Sequence, residues 1–260
     1  MKKLISVLLM GLLFTMCGVK KEEVKTETTS LPKKIIVGLD DTFAPMGFKN
    51  EAGEIVGLDI DLAKATAKKL NMEVEFKSIN WDSKILDLNN GSIDLIWNGL
   101  TITEERKEQT EMSEPYMNNN QIIIVQAGSD INTKADLAGK NVGTQSQSSS
   151  EEIILNEGLN KNFKEFKTYA QFDQAFMDLD FGRIDAIVVD EYLAKYIKKI
   201  KEDKAQKELY KILDESLGFE ETGVAAKKGN KVLIDAINKT IAELKADGTF
   251  DEIKKNWLKD

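Results

Sequence analysis

A nine-residue phrase occurs twice in this chain, and it constrains the fold more than any other feature. Leu88-Asn-Asn-Gly91-Ser-Ile93-Asp94-Leu-Ile96 and Leu179-Asp-Phe-Gly182-Arg-Ile184-Asp185-Ala-Ile187 share the pattern L-x-x-G-x-I-D-x-I, 91 residues apart. Each copy reads as a helix end, a glycine suited to the left-handed position after the last turn, and a short apolar strand. The strands run on into polar residues, Trp97-Asn98-Gly99-Leu100-Thr101 in the first copy and Val189-Asp190-Glu191 in the second. Open α/β sheets bind ligands at the carboxyl ends of their strands. Two such units predict two α/β lobes, each presenting a strand end to a shared cleft.

The length of 260 residues accommodates two lobes of about 100–120 residues, each with its own core. With 42% hydrophobic and 31% charged residues, the chain is neither a disordered nor a multi-span membrane protein. A net charge of −8 argues against nucleic acid as a partner. Lys2 and Lys3 precede an apolar run from Leu4 to Met16. That run is short of the roughly 20 residues a bilayer needs and suits a secretory signal. Cys17 follows it and is the only cysteine, so the folded part has no disulfide and no thiol chemistry. The next stretch, GVKKEEVKTETTS over 18–30, is polar and aperiodic, as a flexible tether is.

Strand–helix alternation fills the rest. Apolar strands are predicted over 34–38, 74–78 and 93–97, with helices over 59–70 and 83–89. Thr103-Glu-Glu-Arg106 reads as a helix start, with Thr103 as the cap. A second set comprises strands over 121–126, 141–144, 166–168 and 186–190. Its helices begin among 148–151 and run over 169–181 and 191–201. A last strand over 223–227 and helices over 231–246 and 250–258 close the chain. This order implies mainly parallel sheets flanked by helices. The chain is expected to cross between lobes at 117–121 and return at 219–222, so two strands would form a hinge.

The strand ends carry the chemistry. Over 98–106 (NGLTITEER), a strand end, a glycine and a helix start offer backbone N–H groups. Thr101 offers a hydroxyl, and Arg106 a planar fork for a carboxylate. Taken alone, Arg106 reads more readily as a solvated helix charge among Glu104, Glu105 and Lys107. Gln147-Ser148-Ser149-Ser150 opens a helix in the second lobe, either a second anion site or a well-capped helix. Asp190 ends an apolar strand and is either an N-cap or the partner of a cation. Together the parts fit a free amino-acid zwitterion, with Asp40, Phe43 and Trp81 around its side chain. The aromatic residues read equally as core.

These segments resemble the bacterial extracellular amino-acid-binding proteins of family 3, which feed ABC importers, over essentially all of 33–260. Gly57-Leu-Asp59-Ile-Asp61-Leu62-Ala63 is similar to the signature around the family's first long helix, and Gly38-Leu-Asp40-Asp-Thr-Phe43-Ala-Pro45 to its first ligand loop. Ile96-Trp-Asn98-Gly99-Leu-Thr101-Ile-Thr103-Glu-Glu-Arg106 resembles its carboxylate-binding segment, and Ala246-Asp-Gly248-Thr-Phe250 to Trp257 its C-terminal end. The resemblance implies a two-lobed periplasmic-binding-protein fold joined by two hinge strands. Lobe one would span 33–118 and 222–260, and lobe two 119–221, after a signal peptide over 1–16 and an anchor and tether over 17–32. Arg106, Thr101, the Gly99 backbone and Ser149 would bind the ligand carboxylate; Asp190 and Gly99 would bind the ammonium. Asp40, Phe43, Trp81, Asn98 and Ser148 would surround the side chain. Gln147 stands where many relatives carry glycine, a departure in the second-lobe segment. Cys17 resembles the lipidated cysteine of bacterial lipoproteins, although Met16 replaces the small residue their pattern prefers.

The expected function is capture of a free, polar L-amino acid between two closing lobes and its delivery to an ABC permease, without catalysis, metal or cofactor. The chain is expected to act as a monomer, exported and held by a lipid anchor in the periplasm or at the outer face of the cytoplasmic membrane. Two rival readings share the fold: a ligand-binding sensor component and a dehydratase-type enzyme. The sequence has no histidine, which weighs against general acid–base catalysis.

Overall fold

A computed structural model describes residues 30–258. The predicted signal segment, Cys17 and most of the tether lie outside the described residues. Along the chain come β1 (Lys34–Leu39), β2 (Thr42–Phe43), β3 (Gly47–Lys49), β4 (Ile55–Val56), α1 (Leu58–Lys69), β5 (Glu73–Ser78), α2 (Lys84–Asn90), β6 (Leu95–Ile96), α3 (Glu104–Gln109) and β7 (Thr110–Met112). A second series follows: β8 (Met117–Gln126), β9 (Asn141–Gln145), α4 (Ser149–Asn156), β10 (Glu165–Tyr169), α5 (Phe172–Asp180), β11 (Ala186–Asp190), α6 (Glu191–Ala205) and β12 (Tyr210–Thr222). The chain ends with β13 (Ala225–Lys227), α7 (Lys231–Ala246) and α8 (Thr249–Trp257).

Two five-stranded sheets result, ordered β5-β1-β6-β13-β7 and β10-β9-β11-β8-β12. In each, a single strand, β13 or β8, runs against the other four. Burial on both faces explains why the central strands read as continuous apolar runs. In β8, Ile122 and Ile124 join a core with α5 and α6, while Ile123 and Val125 join another with Ile154 of α4. On the first sheet, α1, α7 and α8 pack together on one side, and Leu88 of α2 lies in the core on the other.

The repeated phrase performs the same task in both sheets. Gly91 (φ 79°) and Gly182 (φ 66°) end their helices in the left-handed region, where a side chain would strain the backbone. Ile93 then lies so close to Gly38 of β1 that a Cβ there would sit 2.5 Å from its Cδ1. Ile184 covers Gly143 of β9 in the same way, at 2.7 Å. Each aspartate clamps the neighbouring strand. Asp94 donates its N–H to the Ile36 carbonyl at 2.8 Å, and its Oδ2 accepts the Ile36 N–H at 2.8 Å. Asp185 makes the same pair with Asn141, at 2.8 and 2.7 Å. The two clamps set equivalent registers, so the strand ends beyond Gly38 and Gly143 emerge at equivalent places.

The predicted crossings at 117–121 and 219–222 lie side by side. β8 and β12 pair antiparallel from Thr222↔Met117 to Tyr210↔Gln126, and a bridge joins Thr222 to Thr101 of the first lobe. Most of β12 was not anticipated. Its sequence alternates poorly and its register shifts twice between Ile212 and Gly218, which removes the two-residue period that marks a strand. The helix expected over 169–181 starts at Phe172, because Tyr169 is the last residue of β10.

Candidate functional site

The carboxyl ends of both sheets face one cavity. All ten residues proposed from the sequence line it, joined by Gln145.

From the first lobe, Arg106 is carried by the first turn of α3, which Thr103 caps by accepting the Arg106 N–H at 3.3 Å. Arg106 is 7% exposed, and its guanidinium donates to the Thr101 carbonyl at 2.8 Å and to the Gln147 carbonyl, across the cleft, at 3.3 Å. The solvated-charge reading therefore fails. Burial pushes the Arg106 pKa down; Glu152, Glu220, Asp190 and Glu105 hold it up. Thr101 Oγ1 lies 3.0 Å from Ser149 Oγ of the second lobe, so two hydroxyls meet beside the guanidinium.

Asp190 closes β11 at the N-cap position of α6, yet its side chain makes no capping bond. Its carboxylate instead accepts from Asn119 Nδ2 at 2.5 Å. Burial, and then the charge of Glu220, push its pKa up to about 7, against Gln121 and Arg106. Capping, the plainer sequence reading, is thereby excluded for this aspartate.

Asp40 and Gln145 are the residues two positions beyond the repeat-covered glycines Gly38 and Gly143, and they meet across the cleft. Gln145 Nε2 donates to Asp40 Oδ2 at 2.7 Å, and Gln171 Nε2 reaches Asp40 Oδ1 at 3.3 Å. Thr42 adds its N–H and hydroxyl to Oδ1 at 3.0 and 2.7 Å. Burial raises the Asp40 pKa and these donors oppose the rise. Asn98 braces the same loop, accepting the Asp40 N–H at 3.0 Å. Phe43 lies against Gly99 and faces Phe172 of the second lobe with ring centroids 6.1 Å apart. Trp81 is buried, with the Lys84 ammonium 4.9 Å from its ring centre.

Two of the expected residues are already engaged within the fold. The Gly99 N–H already donates to the buried Asp59 at 2.6 Å, so it is committed and leaves the carbonyl as what Gly99 offers. Asp59 is held also by the Tyr116 hydroxyl at 2.7 Å, and burial lifts its pKa to about 7. Ser148 lines the cavity, but its hydroxyl donates to the Gln145 carbonyl at 2.7 Å and caps α4 by accepting the Glu151 N–H at 3.1 Å. Ser148 thereby positions Gln145 and the helix from within the cavity wall.

The Gln147 departure has a geometric consequence. Its φ is +56°, the left-handed region glycine prefers. That turn points its carbonyl at the first lobe, where it accepts from Lys84 Nζ at 2.8 Å as well as from Arg106. Sequence reasoning missed Gln145, whose signal was its place two residues after a strand glycine, as Asp40 is after Gly38. It also missed Glu220, a buried carboxylate in the returning hinge strand, which lay in a segment read only as a crossing.

Comparison with known proteins agrees with this geometry. Residues 35–260 match the family described as bacterial extracellular solute-binding proteins, family 3. The L-cystine-binding protein TcyJ of Escherichia coli (strain K12) is 33% identical over 227 residues, covering 86% of this chain and 82% of that protein. A histidine-bound ABC uptake transporter substrate-binding protein from Streptococcus pneumoniae superposes with a TM-score of 0.83 at 35% identity, covering 88% of this chain and 93% of the other. An ancestral arginine-binding protein bound to arginine gives a TM-score of 0.81 at 42% identity, covering 88% and 100%. Two strand-end clamps, a shared cavity and a match over nearly the whole folded chain lead to one conclusion: this protein belongs to the bacterial extracellular solute-binding proteins of family 3.

Proposed function

We propose that the protein is the substrate-binding component of an amino-acid ABC importer, which captures a free L-amino acid with a polar side chain and delivers it to a membrane permease. The observation that carries this is a pair of opposite, buried charges facing one small cavity. Among the described residues, neither Arg106 nor Asp190 has an ion-pair partner within 4.0 Å, although each is only 7% exposed. Unpaired buried charges are costly, and a zwitterion supplies both missing partners at once.

In this reading the Arg106 guanidinium and the Thr101 and Ser149 hydroxyls take the α-carboxylate, and Asp190 with the Gly99 carbonyl takes the ammonium. Phe43 and Trp81 flank the side chain, and Asp40, with Gln145, Gln171 and Asn98 around it, meets its polar end. The relatives named above carry cystine, histidine and arginine, all free amino acids with polar groups. Lobe one comprises 33–118 and 222–260 and lobe two 119–221; hinging through β8 and β12 admits the ligand, and closure joins Asp40 to Gln145 and Thr101 to Ser149. The protein acts as a monomer outside the cytoplasm, exported by the segment over 1–16 and anchored through Cys17. It binds without turning over its ligand.

A thermal-shift screen tests this. Protein over residues 18–260, refolded to strip carried-over ligand, is melted with each of the twenty amino acids, cystine and ornithine. A ligand at 1,000 times its dissociation constant stabilises by about 4 kcal/mol, several degrees in Tm. One clear responder supports the reading; a flat panel refutes amino-acid capture. Turnover of a responder by the purified protein would instead favour the enzyme.

A further inference from the structure

Several contacts that join the two lobes run through residues already given to the ligand. Asp40–Gln145, Thr101–Ser149 and Phe43–Phe172 each include a residue that lines the cavity. Lys84–Gln147 does not, but it shares the Gln147 carbonyl with Arg106. Another contact stands clear of the site. The ring of Phe48, in β3, meets the ring of Tyr196, in α6, with centroids 5.6 Å apart and planes tilted by 59°. Neither residue lines the cavity. Both are half-buried, and neither belongs to the apolar core among the described residues.

Phe48 is held in place by lobe one alone. It pairs with Thr42 on one side and Val56 on the other, in the middle strand of the small sheet β2-β3-β4. Its ring also meets Trp257 of α8 edge-on, with centroids 5.9 Å apart and planes at 87°. Trp257 is fixed in turn by its Nε1–H, which donates to Asp61 of α1 at 2.8 Å. Phe48 therefore offers lobe two a ring that is already positioned, which keeps the ordering cost of the contact low. Each partner also sits on a piece that carries a ligand group. The small sheet holds Phe43, which lines the cavity. α6 starts immediately after Asp190, and Tyr196 lies six residues on from that aspartate, about 9 Å along the helix.

We propose that Phe48 and Tyr196 form a latch outside the ligand site, which sets how tightly and for how long an amino acid is held without touching it. The inference rests on the amino-acid capture reading. The closure that brings Asp190 onto an ammonium beside Phe43 also brings Tyr196 onto Phe48. Both are positioning residues: they favour the closed form, and the ligand feels them only through it. Apparent affinity scales with the population of the binding-competent form. An aromatic pair contributes about 2- to 12-fold in an equilibrium constant beyond the area it buries. Loss of the latch lowers affinity by that factor, chiefly through faster release, because release requires the lobes to open.

Calorimetric titration of wild type, Phe48→Ala, Tyr196→Ala and the double variant with each of the twenty amino acids tests this. Stopped-flow fluorescence adds the release rate of the tightest binder. Each single variant should bind about 2- to 12-fold more weakly and release faster by a like factor, with the order of preference among amino acids unchanged. The second substitution should add little to the first, because both remove one contact. The Trp257 contact lies within lobe one, so its loss in Phe48→Ala should appear in the melting temperature rather than in affinity. Tyr196→Phe, which keeps the ring, should bind and release as wild type does. Wild-type affinity in Tyr196→Ala overturns the inference, and so does a loss for Phe48→Ala that is equally large with and without Tyr196. Should Phe48→Ala not fold, Tyr196→Ala and its rescue by Tyr196→Phe decide alone. A wild type that binds none of the twenty amino acids would instead remove the capture reading, and the latch with it.

Discussion

Arg106→Ala should weaken amino-acid binding by about 30-fold to several thousand-fold, corresponding to the 2–5 kcal/mol lost when one member of a desolvated charge pair is truncated. The structure supports using that range without discounting for solvent. Arg106 is 7% exposed, and two of its five guanidinium N–H groups are held by the Thr101 and Gln147 carbonyls. Three remain to fork a carboxylate, with the Thr101 and Ser149 hydroxyls alongside. Alanine also forfeits the two carbonyl bonds, about 1 kcal/mol each, which should appear as a lower melting temperature of the ligand-free protein. Arg106→Lys separates the contributions, because it keeps a charge but not the fork, and should fall between wild type and alanine. Isothermal titration of the three proteins with the responding amino acid measures all of this. Affinity retained within about threefold in a folded Arg106→Ala protein would refute the site.

Other outcomes follow from the same geometry. Asp94→Ala and Asp185→Ala should each cost about 1–3 kcal/mol in urea unfolding, because each strips an acceptor from a strand N–H; a neutral result for both would discount the clamps. Asp59 has a raised folded pKa of about 7, so its contribution is full at low pH and is lost as pH climbs from about 4 to about 7. Ligand-free wild type should therefore lose more melting temperature between pH 5 and pH 8 than Asp59→Asn does, and parallel curves would contradict this. Gln147→Gly should leave affinity within about threefold, since the site uses only its carbonyl, and should relieve left-handed strain of about 1–2 kcal/mol, partly offset by backbone entropy. A large affinity loss there would mean that the side chain itself touches the ligand.

The sequence alone determined the two-lobed plan, because its marks are local. A helix end, a left-handed glycine and an apolar strand are neighbours in the chain, and their recurrence after 91 residues needs no knowledge of space. Arg106 has a local mark as well, a strand end followed by the capped helix start Thr103–Arg106, but that mark alone left a solvated charge open. What the sequence could not determine is which groups share a hydrogen bond in and around the cleft. Gly99 and Asp59 are 40 residues apart, Asp40 and Gln145 are 105 apart, and Thr101 and Glu220 are 119 apart. Ser148 illustrates the consequence: as a residue type it could serve a ligand, but folding aims its proton at the Gln145 carbonyl. Asp190 illustrates the reverse, a residue whose local signature is a helix cap and whose surroundings make it a buried carboxylate beside Glu220. Hydrogen-bond capacity is finite and burial raises the cost of leaving it unfilled, so the tertiary contacts decide which candidate groups remain for a ligand.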